Sequence, residues 1–227
     1  TVDLIRAVST AGDVQLSASG DLRLRSPNIQ NRAGPATLPA VQAAGRARLN
    51  VAGSVLDGGG AEVDVRAQRL SAIVRGDFGR LANPIETEVA KLDVLRTSFG
   101  AREVDSEIAV RERDGVRVTR LISLAVGDER RTIDLRTTGG RLALAPVAGS
   151  IEAETIRIEA GGAGEIAVAR DTDLRGSAVL RAGGDIVIAR DQELSADGPL
   201  TLNAGLRNGS FATVRAEGAG TRRGRLS

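Results

Sequence analysis

The last third of the chain repeats itself every 22 residues. Each copy has apolar residues at alternate positions and ends in Gly, and the copies are Ile156, Ile158, Ala160 and Gly161, then Ala178, Leu180, Ala182 and Gly183, then Leu200, Leu202, Ala204 and Gly205. A unit of this size cannot bury its apolar face alone, so successive copies must stack on one another. The repeat therefore predicts a solenoid.

A second pair of copies refines this prediction. Gly164–Asp171 (GEIAVARD) matches Gly184–Asp191 (GDIVIARD) at an offset of 20 rather than 22 residues. Coils whose strands stay in register can differ in the length of their corners. The corner between these strands is therefore expected to absorb two residues.

Short apolar/polar alternations also precede the repeat. Examples are Val14 and Leu16, Leu49 and Val51, and Val63 and Val65, and each run ends at Gly, Asn, Asp or Pro. Period-two runs bounded by such residues are typical of strands joined by turns. These runs extend the all-β prediction over the chain as a whole.

One segment leaves a helical alternative open. Asn83 is suited to cap a helix, Pro84 to begin it and Glu86 to complete a capping box, and apolar residues follow at helical spacing. Leu92 and Val94 also alternate as they would in a strand. A short helix near residues 85–91 and a strand are both compatible with this sequence.

Composition limits the core and the partners. The 227 residues include three Phe and no Trp or Tyr, so Val, Ile, Leu and Ala must fill a narrow interior. The 31 basic residues, nearly all Arg, are interleaved with 29 acidic ones, for a net charge of +2. Nucleic-acid binding favours a concentrated basic face with aromatic residues, which this pattern lacks, so no nucleic-acid partner is expected.

Missing residue types exclude several chemistries. The chain contains no His and no Cys, which excludes catalytic triads with His, cysteine nucleophiles, zinc sites with His or Cys ligands, and disulfides. No cofactor is expected. No apolar run is long enough for a membrane span, and no signal peptide is present. Because the sequence starts at Thr1 and contains no Met, we expect it to be a segment of a longer protein.

Two blocks resemble a known family. Residues 184–205 (GDIVIARDQELSADGPLTLNAG) resemble the Gly-rich repeats of filamentous haemagglutinin-like proteins, the large exoproteins of bacterial two-partner secretion. Residues 81–95 (LANPIETEVAKLDVL) resemble the block that interrupts such repeats in giant bacterial surface proteins. The resemblance implies a right-handed parallel β-helix, exported through an outer-membrane transporter and displayed outside the cell.

Arg75, Gly76 and Asp77 form an RGD tripeptide. On a protruding loop such a tripeptide presents a guanidinium and a carboxylate to an integrin-type receptor. The alternative is a chance occurrence, because the chain is rich in Arg, Gly and Asp and the Gly-Asp pair recurs at other corners. The tripeptide is the candidate receptor-binding site.

Four acidic residues support a different alternative. Asp171 and Asp191, each preceded by Arg, are expected at equivalent places in adjacent coils, where they would form a surface ladder of compensating pairs. With Asp173 and Glu193 they could instead serve as acid and base in a polysaccharide-cleaving β-helix. Such enzymes need aromatic platforms for the sugar, and none is available here.

The stretch from Gly161 to Ile166 is similar to the calcium-binding nonapeptide GGxGxD. Ile166 stands where the pattern requires the ligand Asp, and no tandem copies follow. Calcium binding of that type is not expected, and no metal site is assigned from the sequence.

These observations predict an all-β, right-handed parallel β-helix of roughly ten coils. It would form a single body over residues 1–220, less regular at 100–150, with a basic tail or cut linker at 221–227. The expected function is a non-enzymatic shaft of a large exported surface protein, with a host or neighbouring-cell surface, or other copies of itself, as partner. A self-assembling extracellular filament and the polysaccharide-cleaving enzyme are the alternatives.

Overall fold

The computed structural model describes residues 1–4, 6–26, 28–31, 34–60, 62–97, 105–124, 130–207, 210–211, 214–216 and 225–226, with side chains described outside 27–37 and 206–227. Every regular element in these ranges is a β-strand. The strands are β1 (Val2–Leu4), β2 (Ala7–Ser9), β3 (Val14–Ala18), β4 (Leu22–Leu24), β5 (Asn28–Asn31), β6 (Gly34–Thr37), β7 (Val41–Ala43), β8 (Arg46–Val51), β9 (Val55–Asp57), β10 (Val65–Val74), β11 (Ile85–Thr97), β12 (Ser106–Glu112), β13 (Val116–Leu124), β14 (Arg131–Thr137), β15 (Arg141–Leu144), β16 (Ser150–Ala160), β17 (Glu165–Val168), β18 (Thr172–Ala182), β19 (Ile186–Ile188), β20 (Glu193–Ala196), β21 (Leu200–Ala204), β22 (Leu206–Arg207), β23 (Ser210–Phe211), β24 (Val214–Ala216) and β25 (Arg225–Leu226).

Successive turns of the chain pair in parallel and stack as a β-solenoid of about eight turns. One stack runs β3–β8–β10–β11–β13 and another β12–β14–β16–β18–β21. Among the described strands, only β5–β6 and β22–β23 pair antiparallel. The predicted all-β parallel solenoid is confirmed, whereas the right-handed winding and the count of roughly ten coils stay predictions.

The repeat of the last third lies in register. Ile156 pairs with Ala178 and Ala178 with Leu200, and the Ile158 and Ala160 rows continue in the same way. The Ile158, Ala160 and Leu180 side chains are buried in the interior, with Leu202 packed against them. The 22-residue spacing therefore corresponds to one turn of the solenoid, as predicted.

The second pair of copies is also in register. Ile166 pairs with Ile186 and Val168 with Ile188, whereas Thr172 pairs with Leu194. The two additional residues fall in the corner between β19 and β20, where Asp191 has a φ of 59°. Asp tolerates this left-handed conformation better than most residues. The expected corner insertion is confirmed.

Residues 85–91, for which the sequence allows a short helix or a strand, belong to β11. The helical alternative is therefore wrong. Its parallel ladders to β10 and to β12 and β13 satisfy the backbone on both sides. A helix would give up these inter-turn bonds and turn the buried Val89, Leu92 and Val94 away from their stacked neighbours. Tertiary pairing overrides the local capping signals.

The core is a column of aliphatic side chains from Val14 to Leu194. Phe78 is the one aromatic side chain in the described core, and it links β9 to β12 through isolated parallel bridges to Val55 and Ile108. Parts of the segment expected to be less regular, 100–104 and 125–129, lie outside the described residues. Most of the expected basic tail does as well, including Arg222 and Arg223.

One corner of the solenoid carries three consecutive excursions of the chain. The strand pairing leaves segments 25–40, 58–63 and 79–84 between the stacked strands of successive turns, and the structure describes 25–26, 28–31, 34–40, 58–60, 62–63 and 79–84 of them, with β5 and β6 paired antiparallel. The third is a tight turn, in which Arg80 and Asn83 exchange backbone hydrogen bonds of 3.0 and 2.9 Å. Chain segments that leave a rigid scaffold are common places for function.

Candidate functional site

Three acidic side chains meet at the base of this corner. Asp57 ends β9 on one side of the 58–63 excursion, Asp64 precedes β10 on the other side, and Glu86 lies near the start of β11 in the next turn. The Asp64 N–H donates to the Glu86 carbonyl (2.8 Å), and the Glu86 N–H donates to Asp64 Oδ2 (3.1 Å). The stacking of two turns therefore brings the three carboxylates together, and we call them the acidic cluster.

The acidic cluster is closed off from solvent. The exposed fraction is 9% for Asp57, 1% for Asp64 and 7% for Glu86. One carboxylate oxygen of each residue lies within 4.8 Å of those of the other two. Three carboxyl groups thus face one another in a space that bulk water barely reaches.

Each member keeps one oxygen without a hydrogen-bond partner. Asp57 Oδ1 accepts from the Gly59 N–H (2.8 Å) and Asp64 Oδ2 from the Glu86 N–H, which fixes both side chains. Asp57 Oδ2, Asp64 Oδ1 and Glu86 Oε2 are buried and unpartnered. Buried polar atoms in native proteins almost always have partners, so three such atoms at one place require an explanation.

The ionisation of the acidic cluster is strongly affected by its surroundings. Burial, followed by the charge of Asp57, raises the pKa of Asp64 to about 9. The same two causes raise the pKa of Glu86 to about 7, against the opposing effect of the Arg111 guanidinium. Three adjacent buried anions repel one another and lose hydration, so the cluster must hold protons or a cation at neutral pH.

A fourth buried carboxylate, Glu112, provides a contrast. Its exposed fraction is 0%, and Thr87 Oγ1 (2.7 Å), the Val89 N–H (3.2 Å) and the Asp114 N–H (3.3 Å) all donate to it. Burial raises its pKa to about 7 although these donors favour the charged form. Both oxygens of Glu112 are satisfied inside the fold, whereas those of the acidic cluster are not.

The local sequence pattern does not reveal the acidic cluster. The alternation of Val63 and Val65 predicts that Asp64 faces outward, but Asp64 is buried because the chain bends at the corner after the excursion. The local pattern around Glu86 indicates only a capping box. The available signal was the separation of Asp64 and Glu86 by 22 residues, the repeat spacing, which places two carboxylates in stacked positions.

The RGD tripeptide lies in another corner, against the neighbouring turns. Arg75 is exposed, whereas Gly76 and Asp77 are partly buried. The Gly76 N–H donates to the Gly53 carbonyl (2.9 Å), and Asp77 Oδ1 accepts from the Glu107 N–H of the following turn (3.2 Å). The Asp77 carboxylate thus has a structural role within the corner, and its role in receptor binding stays a prediction.

Other Gly-Asp corners use their carboxylates in the same way. Asp13 Oδ1 accepts from the Arg46 N–H (2.7 Å), and Asp21 Oδ1 accepts from the Ser54 N–H (2.9 Å). In each case an Asp of one turn satisfies a backbone donor of the next turn. The Gly-Asp pairs at 12–13, 20–21 and 76–77 therefore connect successive turns at their corners.

The residues of the enzyme alternative are engaged in similar contacts. Asp171 Oδ1 accepts from the Glu193 N–H (2.8 Å), Asp173 pairs with Arg175 (3.1 Å), and Asp191 lies 3.7 Å from Arg190. Because Thr172 pairs with Leu194, Asp171 lies opposite Glu193, and the expected equivalence of Asp171 and Asp191 is wrong. The contacts stabilise corners and the surface, and the enzyme stays an alternative. In the nonapeptide-like stretch, Ile166 is fully buried in the core.

Comparison of the chain with family models, curated proteins and solved structures gives no match. The fold defines the class of protein, a parallel β-solenoid compatible with a β-helix repeat protein. Within the described residues, no helix has the length and apolar character needed to cross a bilayer.

Proposed function

We propose that this chain is a non-enzymatic shaft of a large exported bacterial surface protein, and that the shaft supports adhesion or display outside the cell. The observation that carries the proposal is the parallel ladder that joins each turn to the next, from β1–β4 to β20–β25. Each turn contacts only its neighbours, so turns can be added without redesigning the core. The family resemblance of residues 81–95 and 184–205 supports export and display.

The dimensions fit this role. Strands of adjacent turns lie about 4.8 Å apart, so the stacked turns extend over roughly 40 Å. Longer arrays of the same turn would separate a binding domain from the cell surface. The partner would be a host or neighbouring-cell surface, reached after passage through an outer-membrane transporter.

A deletion of one turn tests the proposal. Removing residues 156–177 joins Thr155 to Ala178 and preserves the register, because Thr155 already pairs with Ser177 and Ile156 with Ala178. We expect the shortened chain to keep the β-sheet far-UV spectrum, and the parent protein to stay displayed on cells and accessible to antibody. Removing residues 156–166 is the matched control, since it places outward-facing residues in the core and should abolish folding.

Three results would contradict the proposal. The parent protein could be inaccessible to antibody on intact cells. The purified chain could cleave an acidic polysaccharide, with activity lost on changing Asp171 or Asp191, which would favour the enzyme. It could also associate end to end into long fibres, which would favour the filament.

A further inference from the structure

The acidic cluster lacks the Arg partners that other acidic side chains of this solenoid have. Glu88 pairs with Arg66 at 2.8 Å and Asp93 with Arg120 at 2.6 Å, as expected of a chain with so many Arg residues. In the described part of the chain, Asp57, Asp64 and Glu86 form no ion pair. Each of the three carries one buried oxygen without a hydrogen-bond partner, and one carboxylate oxygen of each lies within 4.8 Å of those of the other two.

We infer that Asp57, Asp64 and Glu86 form a binding site for one divalent cation of the calcium type. The ligand atoms would be the three buried oxygens that lack partners, Asp57 Oδ2, Asp64 Oδ1 and Glu86 Oε2. A cation at their centre satisfies all three and offsets their mutual repulsion. This site is independent of the shaft function proposed above, because it follows from local geometry alone.

The ligand chemistry selects the class of cation. All three ligands are carboxylate oxygens, which suit hard cations such as Ca²⁺ and Mg²⁺ and do not suit soft metals that prefer sulfur or imidazole. Two oxygens on one Ca²⁺, each at 2.3–2.6 Å, lie at most about 5 Å apart, and the cluster oxygens lie within 4.8 Å of one another. Mg²⁺ requires a tighter, near-ideal octahedron, so we assign the site to Ca²⁺.

The position of the site gives the cation a structural effect. Asp57 and Asp64 hold the two ends of the 58–63 excursion, and Glu86 belongs to the next turn. A bound cation would therefore link two turns and close the base of the excursion. Since it binds the folded chain and not the separated ligands of the unfolded one, it raises the melting temperature.

The test uses the whole 227-residue chain, freed of metal with a chelator and titrated with CaCl₂ in a calorimeter. We expect about one Ca²⁺ per chain and weaker binding of MgCl₂. At a Ca²⁺ concentration a hundred times Kd, the melting temperature should rise by about 5–10 °C. Absence of binding heat and of a thermal shift, or tighter binding of Mg²⁺ than of Ca²⁺, would overturn the assignment.

Asp64→Asn is the decisive variant. Its amide oxygen can still accept from the Glu86 N–H, and the uncharged amide replaces a carboxyl that is protonated when no cation is bound, so in chelator the variant should melt no lower than the original chain. The affinity of the variant for Ca²⁺ should be at least tenfold lower than that of the original chain. Asp173→Asn, on the partly exposed Asp173 of the Arg175 pair, is the matched control and should keep the full response. An equal response in Asp64→Asn and the control would show general surface binding and overturn the site.

Discussion

Residues 150–204 and residues 57–112 belong to one solenoid, yet they differ in whether charged side chains are buried in the interior. Between 150 and 204, all of which the structure describes, the buried polar residues are Ser150 and Thr172, and no buried residue is charged. Between 57 and 112, Asp57, Asp64, Glu86 and Glu112 are all buried. The interior of residues 150–204, which we call the regular region, thus consists of apolar rows with two hydroxyl side chains, whereas the interior of residues 57–112 also encloses carboxylates that need protons, donors or a cation.

The difference follows from the corners. Close backbone packing at glycines occurs in both regions: a Cβ on Gly205 would lie 2.7 Å from the Gly183 carbonyl oxygen, and a Cβ on Gly58 would collide with the Leu24 carbonyl oxygen. The difference lies in the excursions, because Asp57, Asp64 and Glu86 are buried beside them. A solenoid can therefore acquire a polar site at one corner while residues 150–204 keep an uncharged interior.

The largest expected effect tests the apolar rows. Leu180→Ala removes a fully buried side chain stacked between Ile158 and Leu202. We expect a loss of about 2–5 kcal/mol in the free energy of unfolding, measured by urea denaturation. Because turns interact mainly with their neighbours, hydrogen exchange should accelerate around residues 150–204 more than around 57–112.

Val179→Ala is the matched control for this change, because Val179 is only partly buried and faces the other side of β18. Val179→Ala should lower the free energy of unfolding by less than about 1 kcal/mol. Equal losses for the two variants would contradict the assignment of the Ile158–Leu180–Leu202 row to the core.

The next effect concerns Glu112 and pH. Its pKa is about 7 in the fold against 4.5 for the free side chain, so the folded state holds the proton more tightly than the unfolded state. The resulting stability is fully present below about pH 4.5 and is lost as pH rises through 7, to a total of about 3 kcal/mol. Glu112→Gln should remove this pH-dependent contribution, so its free energy of unfolding should fall less between pH 5 and 8 than that of the original chain. Identical pH profiles for the two chains would refute it.

A smaller effect tests the backbone of the regular region. Gly176 has a φ of 142°, and an added Cβ would collide with the Ala153 carbonyl oxygen in the turn before. Gly149 has a φ of 77° with open space around its Cβ position. Gly149→Ala should cost about 1 kcal/mol for its φ alone, and Gly176→Ala about 1 kcal/mol more, measured by thermal denaturation. Equal costs would mean that close packing does not restrict this corner.

The smallest effect is expected on the surface. Arg141 and Glu165 pair at 3.0 Å across β15 and β17, with 64% of the Arg141 side chain exposed. Arg141→Gln should change stability by less than about 1 kcal/mol, and the effect should shrink further at high salt. A loss of stability as large as that of Leu180→Ala would show that this surface pair contributes as much as an interior row.

The regular region could be predicted residue by residue, because period-two alternation and a fixed spacing depend only on the sequence. Ile156, Ala178 and Leu200 were placed in one row and pair as expected. The segment around Asn83 and Pro84 could not be decided in this way, since its capping signals are local and the ladders of β11 come from residues distant in sequence. The same limit hid the acidic cluster.

The sequence by itself determined that aliphatic rows must stack, turn upon turn, since a short repeat cannot bury its apolar face alone. Only the tertiary structure decided that Asp57, Asp64 and Glu86 share one enclosed space. The inward rotation of Asp64 depends on how the chain bends after an excursion, and the proximity of Glu86 depends on which turn stacks upon which. Both are set by packing between segments, and neither is contained in the local pattern of either residue.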